Sequence, residues 1–186
     1  MSSSDDLRET LAGQVRVLQI IVAAVAFGPA AFLGYVLSTA PAGAAAAGAG
    51  NVSLTYLACG AAVAAVIARL FVPPFIVRGF RRQIASGAWP PPGQAGASLA
   101  APLSDAGKLA AVYSVRTIVS VAILEGAAFF TVLAYLQERD PLALGAAVLL
   151  MSIIAAHFPT RTRVAEWVET QLPQLDEDRQ EEQFRQ

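Results

Sequence analysis

Four long apolar runs alternate with polar connectors along the chain. They cover residues 17–38, 54–72, 117–136 and 142–158. Crossing ~30 Å of hydrocarbon takes roughly 20 helical residues at ~1.5 Å each. The first three runs reach ~28–33 Å by that measure, and the fourth only ~25 Å, so it needs a thin local bilayer or flanking interfacial residues. None shows the period-2 alternation of a membrane β-strand, which leaves helices as the spanning form. The pattern predicts an all-α integral membrane four-helix bundle. It divides into a segment 1–16, a first helical hairpin 17–72, a loop 73–116, a second hairpin 117–158 and a tail 159–186.

The connectors carry their own signals. Residues 40–50 are almost entirely Ala and Gly with one proline, which predicts a flexible loop. Pro73-Pro74 should end or kink the second helix, because each ring removes a donor and crowds the preceding turn. Residues 75–80 could then lie along the interface with Arg78, Arg81 and Arg82 toward the headgroups. Residues 86–102, with Trp89-Pro90-Pro91-Pro92-Gly93, read as a mobile linker, with a polyproline ligand as the alternative. Ser104 and Asp105 can cap a helix running through Leu109 and Tyr113 into the third run. Asp140-Pro141 has the form of a helix start, an N-cap oxygen followed by proline at the first helical position.

Beyond the fourth run, Val164, Trp167, Val168 and Leu172 recur at helical spacing with charged residues between them. This is an amphipathic helix suited to anchoring at the membrane interface, with docking of a partner as the alternative. Residues 176–186 read as a solvated acidic tail.

Basic residues set the expected orientation. Arg8 and Arg16 precede the first run, Arg78, Arg81, Arg82, Lys108 and Arg116 lie between the second and third, and Arg161, Arg163, Arg179 and Arg185 follow the fourth. The two other connectors hold only Arg139. That asymmetry puts both termini and the middle loop on the cytoplasmic side of an inner membrane. A cleaved signal peptide ending near Ala40-Pro41-Ala42 is the competing reading. Asp5 and Asp6 at its start and the length of the run argue against it.

Composition agrees with a membrane protein. The 186 residues are 55% hydrophobic and 15% charged, against about 25% charged in ordinary soluble domains. A formal net charge of −1 offers no basic surface for nucleic acid. Cys59, the single cysteine, permits no intrachain disulfide. No cofactor motif, paired carboxylates or metal-ligand spacing occurs in the runs, so neither an enzyme nor a metal or cofactor protein is expected.

One residue stands apart. Glu125 lies near the middle of the third run, where an ionised carboxylate costs at least about 2.5–3.5 kcal/mol. It is either a proton or cation site or a protonated structural acid bonded across the bundle. Gln19, Arg69 and His157 are further candidates for interhelical polar contacts. Gly28, Gly60 and Gly126 each have a small residue four positions away, which predicts close helix approach, with Gly145 a further packing candidate and Gly126 making room beside Glu125.

Internal similarity hints at two tandem hairpins of the same topology. Residues 57–63 resemble 142–148, and Arg16, Leu33 and Tyr35 match Arg116, Leu133 and Tyr135 at a single offset. Alanine-rich helices also produce such matches by chance.

The run Ile123-Leu124-Glu125-Gly126-Ala127-Ala128-Phe129-Phe130 resembles a helix of uncharacterised small bacterial multi-pass membrane proteins. Over the same span it faintly resembles the carboxylate helix of rotary ATPase proteolipid subunits. That likeness implies a helical hairpin with one protonatable carboxylate in the membrane. The chain departs from the proteolipid pattern, since Glu125 is in the first helix of its hairpin and residues 17–38 are not glycine-rich. The expected role is therefore structural, in assembly or in partner binding. The lipid bilayer and a homo-oligomer or second membrane protein are the partners, and a small proton- or cation-translocating subunit using Glu125 is the alternative.

Overall fold

The computed structural model describes residues 3–39, 53–89 and 104–185, and every element among them is an α-helix. In chain order these are α1 (Ser3–Ser38), α2 (Leu54–Ala85), α3 (Asp105–Glu138), α4 (Pro141–Ala156) and α5 (Arg161–Arg185). The glycine- and alanine-rich loop 40–50, the cleavage-like Ala40-Pro41-Ala42 and the proline-rich stretch 90–102 lie outside the described residues. Three helices are long and apolar enough to cross a membrane, or four if α4 and α5 count together as one interrupted span.

Helix starts and ends follow local chemistry. Asp140 accepts a 2.8 Å hydrogen bond from the Leu142 amide, and Pro141 follows at the first helical position of α4. Ser104 Oγ accepts from the Gly107 amide at 3.2 Å, capping α3. Beyond α2, Gly87 takes φ +73° and donates to Ile84 O. Arg139, between α3 and α4, is left-handed without being glycine (φ 54°). Its guanidinium lies 5.4 Å from the Tyr135 ring centroid and donates to Val36 O at 3.4 Å.

Two expectations need correction. Pro73-Pro74 does not end α2, which runs on for another eleven residues to Ala85. The prolines remove the bonds their amides would have donated to the carbonyls of Arg69 and Leu70. The continuation is held by burial, since Val77 and Ile84 are core residues. Residues 73–85 of the segment 73–116 thus continue α2, while α3 begins at Asp105, as the Ser104-Asp105 cap predicted. The second correction concerns 176–186. The helix continues through Pro173 to Arg185, and one of its acids, Asp178, is engaged in the fold while Asp176, Glu177 and Glu181 stay exposed. Asp178 pairs with Arg81 at 2.5 Å, and Arg179 pairs with Asp105 at 2.7 Å.

The chain forms two compact units. The polar unit contains the described residues of Met1–Gln19, Pro73–Thr117 and Pro159–Gln186. Its core joins all the helices it contains: Val15 of α1, Val77 and Ile84 of α2, Leu109 and Val112 of α3, and Val164, Val168 and Leu175 of α5. Tyr113 and Trp167 pack ring to ring at 5.3 Å, and Phe80 meets Trp89 edge-on at 5.1 Å. The apolar face of α5 is therefore spent on protein rather than left for headgroups. The reason is that α2 and α3 extend past their apolar runs with a matching surface.

The apolar unit contains the described residues of Ile20–Val72 and Ile118–Phe158. Its helix α3 is central: half of its most apolar window is buried, against 22% for the windows of α1 and α2. Alanines let the backbones close up, with Ala58, Ala134 and Ala143 fully buried together and Ala147 beside Val36 and Val132. Outward it shows Phe27 at 70% exposure, Val63 at 60% and Phe71 at 61%. A surface of that kind is wrong for water and right for lipid.

Candidate functional site

Glu125 sits midway along α3, half-buried, on the side that meets α1. Gly28 makes that approach available. A Cβ built there would lie 3.1 Å from Phe129 Cζ and 3.4 Å from Glu125 Oε1. Phe129 stacks obliquely on Phe32 of α1, their centroids 5.9 Å apart. The carboxyl thus lies against the glycine gap of α1 with an aromatic pair one turn further on. Among the described residues it accepts no hydrogen bond and joins no ion pair. Glu125 is also the sole acid in the four apolar runs. Chemically the arrangement can hold one proton or bind one donor, but among the described residues it offers no second titrating group for a relay.

The remaining candidates act separately. Gln19 donates from Nε2 to the Pro159 carbonyl at 2.9 Å, tying α1 to the connector before α5. His157 ends α4, its backbone amide on Ile154 O and its Nδ1 2.6 Å from Ile153 O. Arg69 is half-buried on α2. Of the four glycines, only Gly28 serves a close approach. Gly60, Gly126 and Gly145 are exposed, and a Cβ at any of them would meet nothing within 4 Å, so within the chain they do not pack helices. They fall on the outward faces because the buried positions of the same helices are taken by Ala58, Ala62, Ala127, Ala143 and Ala147. Among the described residues no three His, Cys, Asp or Glu side chains gather as a metal would require.

Sequence reasoning missed Glu138. It closes α3 and reaches the first turn of α2, which has no acid of its own. Its carboxylate accepts from the Ser53 hydroxyl, from the Leu54 amide at 2.5 Å and from the Thr55 amide at 2.9 Å. These are orphan donors of a helix N-terminus, and a negative charge there also meets the positive end of the helix dipole. The signal available beforehand was Ser53 ahead of an unaccompanied helix start. Nothing local said which acid would come.

Also missed was the clamp on α5. Arg81 of α2 is held by Asp178, by Gln174 and, at 3.3 Å, by Gln171. Asp105 faces both Arg179 and Lys108. Burial pushes the Asp105 carboxyl up, but the hydrogen bonds and charges of Arg179 and Lys108 outweigh it and hold the group below its ordinary value.

The chain matches no protein-family model, no curated protein and no solved structure.

Proposed function

We propose that this chain is a multi-pass protein of a bacterial inner membrane with a structural, assembly or partner-binding role, and not an enzyme. In this reading four helices cross the bilayer as two hairpins, with α4 as a short fourth span, and both termini and the polar unit lie on the cytoplasmic side. The excess of Arg and Lys around the polar unit supports that orientation. The observation that carries the role is α5. A 25-residue charged helix is clamped by ion pairs onto the continued ends of α2 and α3, and it turns Glu166, Glu169, Asp176 and Glu177 outward. A chain that builds such a unit in addition to its lipid-facing helices has a surface to present to other proteins.

A second reading keeps Glu125 as a proton or cation site. It is favoured by the carboxyl's lack of a hydrogen-bond donor among the described residues, since a purely structural acid would be bonded across the bundle.

Proteoliposomes under an imposed pH gradient separate the two. The assembly reading expects a leak that Glu125→Gln leaves unchanged, and a flux abolished by that substitution would transfer the role to ion movement. Native mass spectrometry from membrane extracts tests the assembly reading itself. It expects the chain in a complex with itself or another membrane protein, and a monomer throughout would refute it.

A further inference from the structure

The polar unit contains a cavity of about 280 Å³ bounded by α2, α3 and α5, just below the usual range for small-molecule pockets. Three of its eight lining residues are arginines, Arg78, Arg81 and Arg116, and none is acidic. Arg81 is fixed in place by Asp178, Gln171 and Gln174. Because both glutamines turn Oε1 toward Arg81, their NH₂ groups remain as further donors. The Arg116 guanidinium lies 5.7 Å from the Trp167 ring centroid, which orients it. Arg78 is exposed at the rim. The Asp178 carboxylate offsets part of this charge, and it is engaged by Arg81.

We propose that this cavity binds the phosphate of an anionic ligand, Arg78 and Arg116 supplying the charge and Gln171 and Gln174 the neutral donors. Guanidinium forks suit phosphate oxygens, and pre-oriented ones lose less freedom on binding. A phosphorylated lipid headgroup and a free phosphate compound share this chemistry. Sequence position favours the headgroup, because Pro74 stands two residues beyond the second apolar run and Arg116 immediately before the third. The binding chemistry is independent of which side of the membrane the unit occupies.

The test uses the full chain in phosphatidylcholine nanodiscs, with and without phosphatidylglycerol, and native mass spectrometry to count retained anionic lipid. Inorganic phosphate, titrated against the same nanodiscs, is the second probe. Wild type should retain phosphatidylglycerol, and Arg78→Gln should weaken retention roughly fivefold, the effect of about one surface arginine. Adding Arg116→Gln should weaken it further, while Arg82→Gln, exposed and outside the cavity, should change nothing. Phosphate binding lost in the same variants, without lipid retention, would support the site and assign it to a free anion. Equal retention of both probes by wild type and by Arg78→Gln, whose rim position leaves the packing intact, would overturn the proposal. So would binding of neither probe by wild type.

Discussion

Helices α1, α2 and α3 each contribute to both units, yet the two stretches of each helix obey opposite packing rules. In the apolar unit the interior is mostly alanine and valine, with Leu33, Leu124, Leu150, Ile154 and the polar Thr55, Ser120 and Thr131 among them, and many large apolar side chains point outward. In the polar unit Leu109, Leu175, Ile84 and two valines of α5 are inside, and charges lie on the surface. The difference follows from the solvent. Where the surroundings are hydrocarbon, outward leucines cost nothing, and association depends on close backbone contact and polar glue. Where they are water, burying aliphatic area is the main driving force.

The largest expected effect is therefore in the polar unit. Val168→Asp removes a buried side chain, a loss of about 1.5–3 kcal/mol, and places an unpaired charge in its stead. Release of α5 should follow, read as rapid protease cleavage within 161–185 while the apolar unit stays intact. The same kind of change at Val63 has a different meaning, because Val63 faces outward at 60% exposure.

In the apolar unit the sensitive direction is the reverse, from small to large. Ala134 is fully buried against Ala58 and Ala143. Ala134→Leu should cost about 1–3 kcal/mol through forced separation of the backbones, seen as a lower thermal midpoint in detergent. Substituting Leu at Gly145, which has nothing within 4 Å, should leave that midpoint near the wild-type value.

Acid should weaken the polar unit through Asp105. The carboxyl of Asp105 is held below its ordinary value, so its contribution is complete above that value and is lost as pH falls through and below it. Protease resistance of α5 should decline over that acid range in wild type. Asp105→Asn should begin lower at neutral pH and lose the part of the decline that Asp105 causes.

The smallest contrast lies between two glycines. Gly28→Ala must displace Phe129 by a few tenths of an ångström, whereas Gly60→Ala meets open space. Gly60→Ala should be neutral within about 0.5 kcal/mol. Gly28→Ala should be measurably destabilising and should alter carbodiimide labelling of the neighbouring Glu125.

What was legible in the sequence was local. The first three apolar runs, the Asp140-Pro141 start and the Ser104 cap rest on residues a few positions apart, and each stands where the pattern put it. The spacing of Val164, Trp167, Val168 and Leu172 announced an amphipathic helix but not what would cover its apolar face. That depended on α2 continuing through Pro73-Pro74, a tertiary outcome that overrides proline's local cost. The reach of Glu138 to Ser53 spans 85 positions and has no periodic signature. Small-residue spacing identified Gly28 together with Gly60 and Gly126, which face outward, because a spacing of four marks a stripe without saying which side is inside. Internal similarity shows the same ambiguity. Ala58 and Ala143 are both buried and Gly60 and Gly145 both exposed, yet Leu33 is buried at 8% while Leu133 is 39% exposed.

The central claim is that α5 folds onto the extended ends of α2 and α3, and the Arg81–Asp178 pair tests it most directly. Both side chains are mostly buried, at 15% and 21% exposure, so reversing either charge alone opposes like charges across α2 and α5. Limited proteolysis of α5 in nanodiscs should show Arg81→Asp and Asp178→Arg each cleaved faster than wild type. The double exchange should recover much of the protection. Single variants as protected as wild type, with no coupling in the double, would contradict the docked helix and return α5 to the lipid surface.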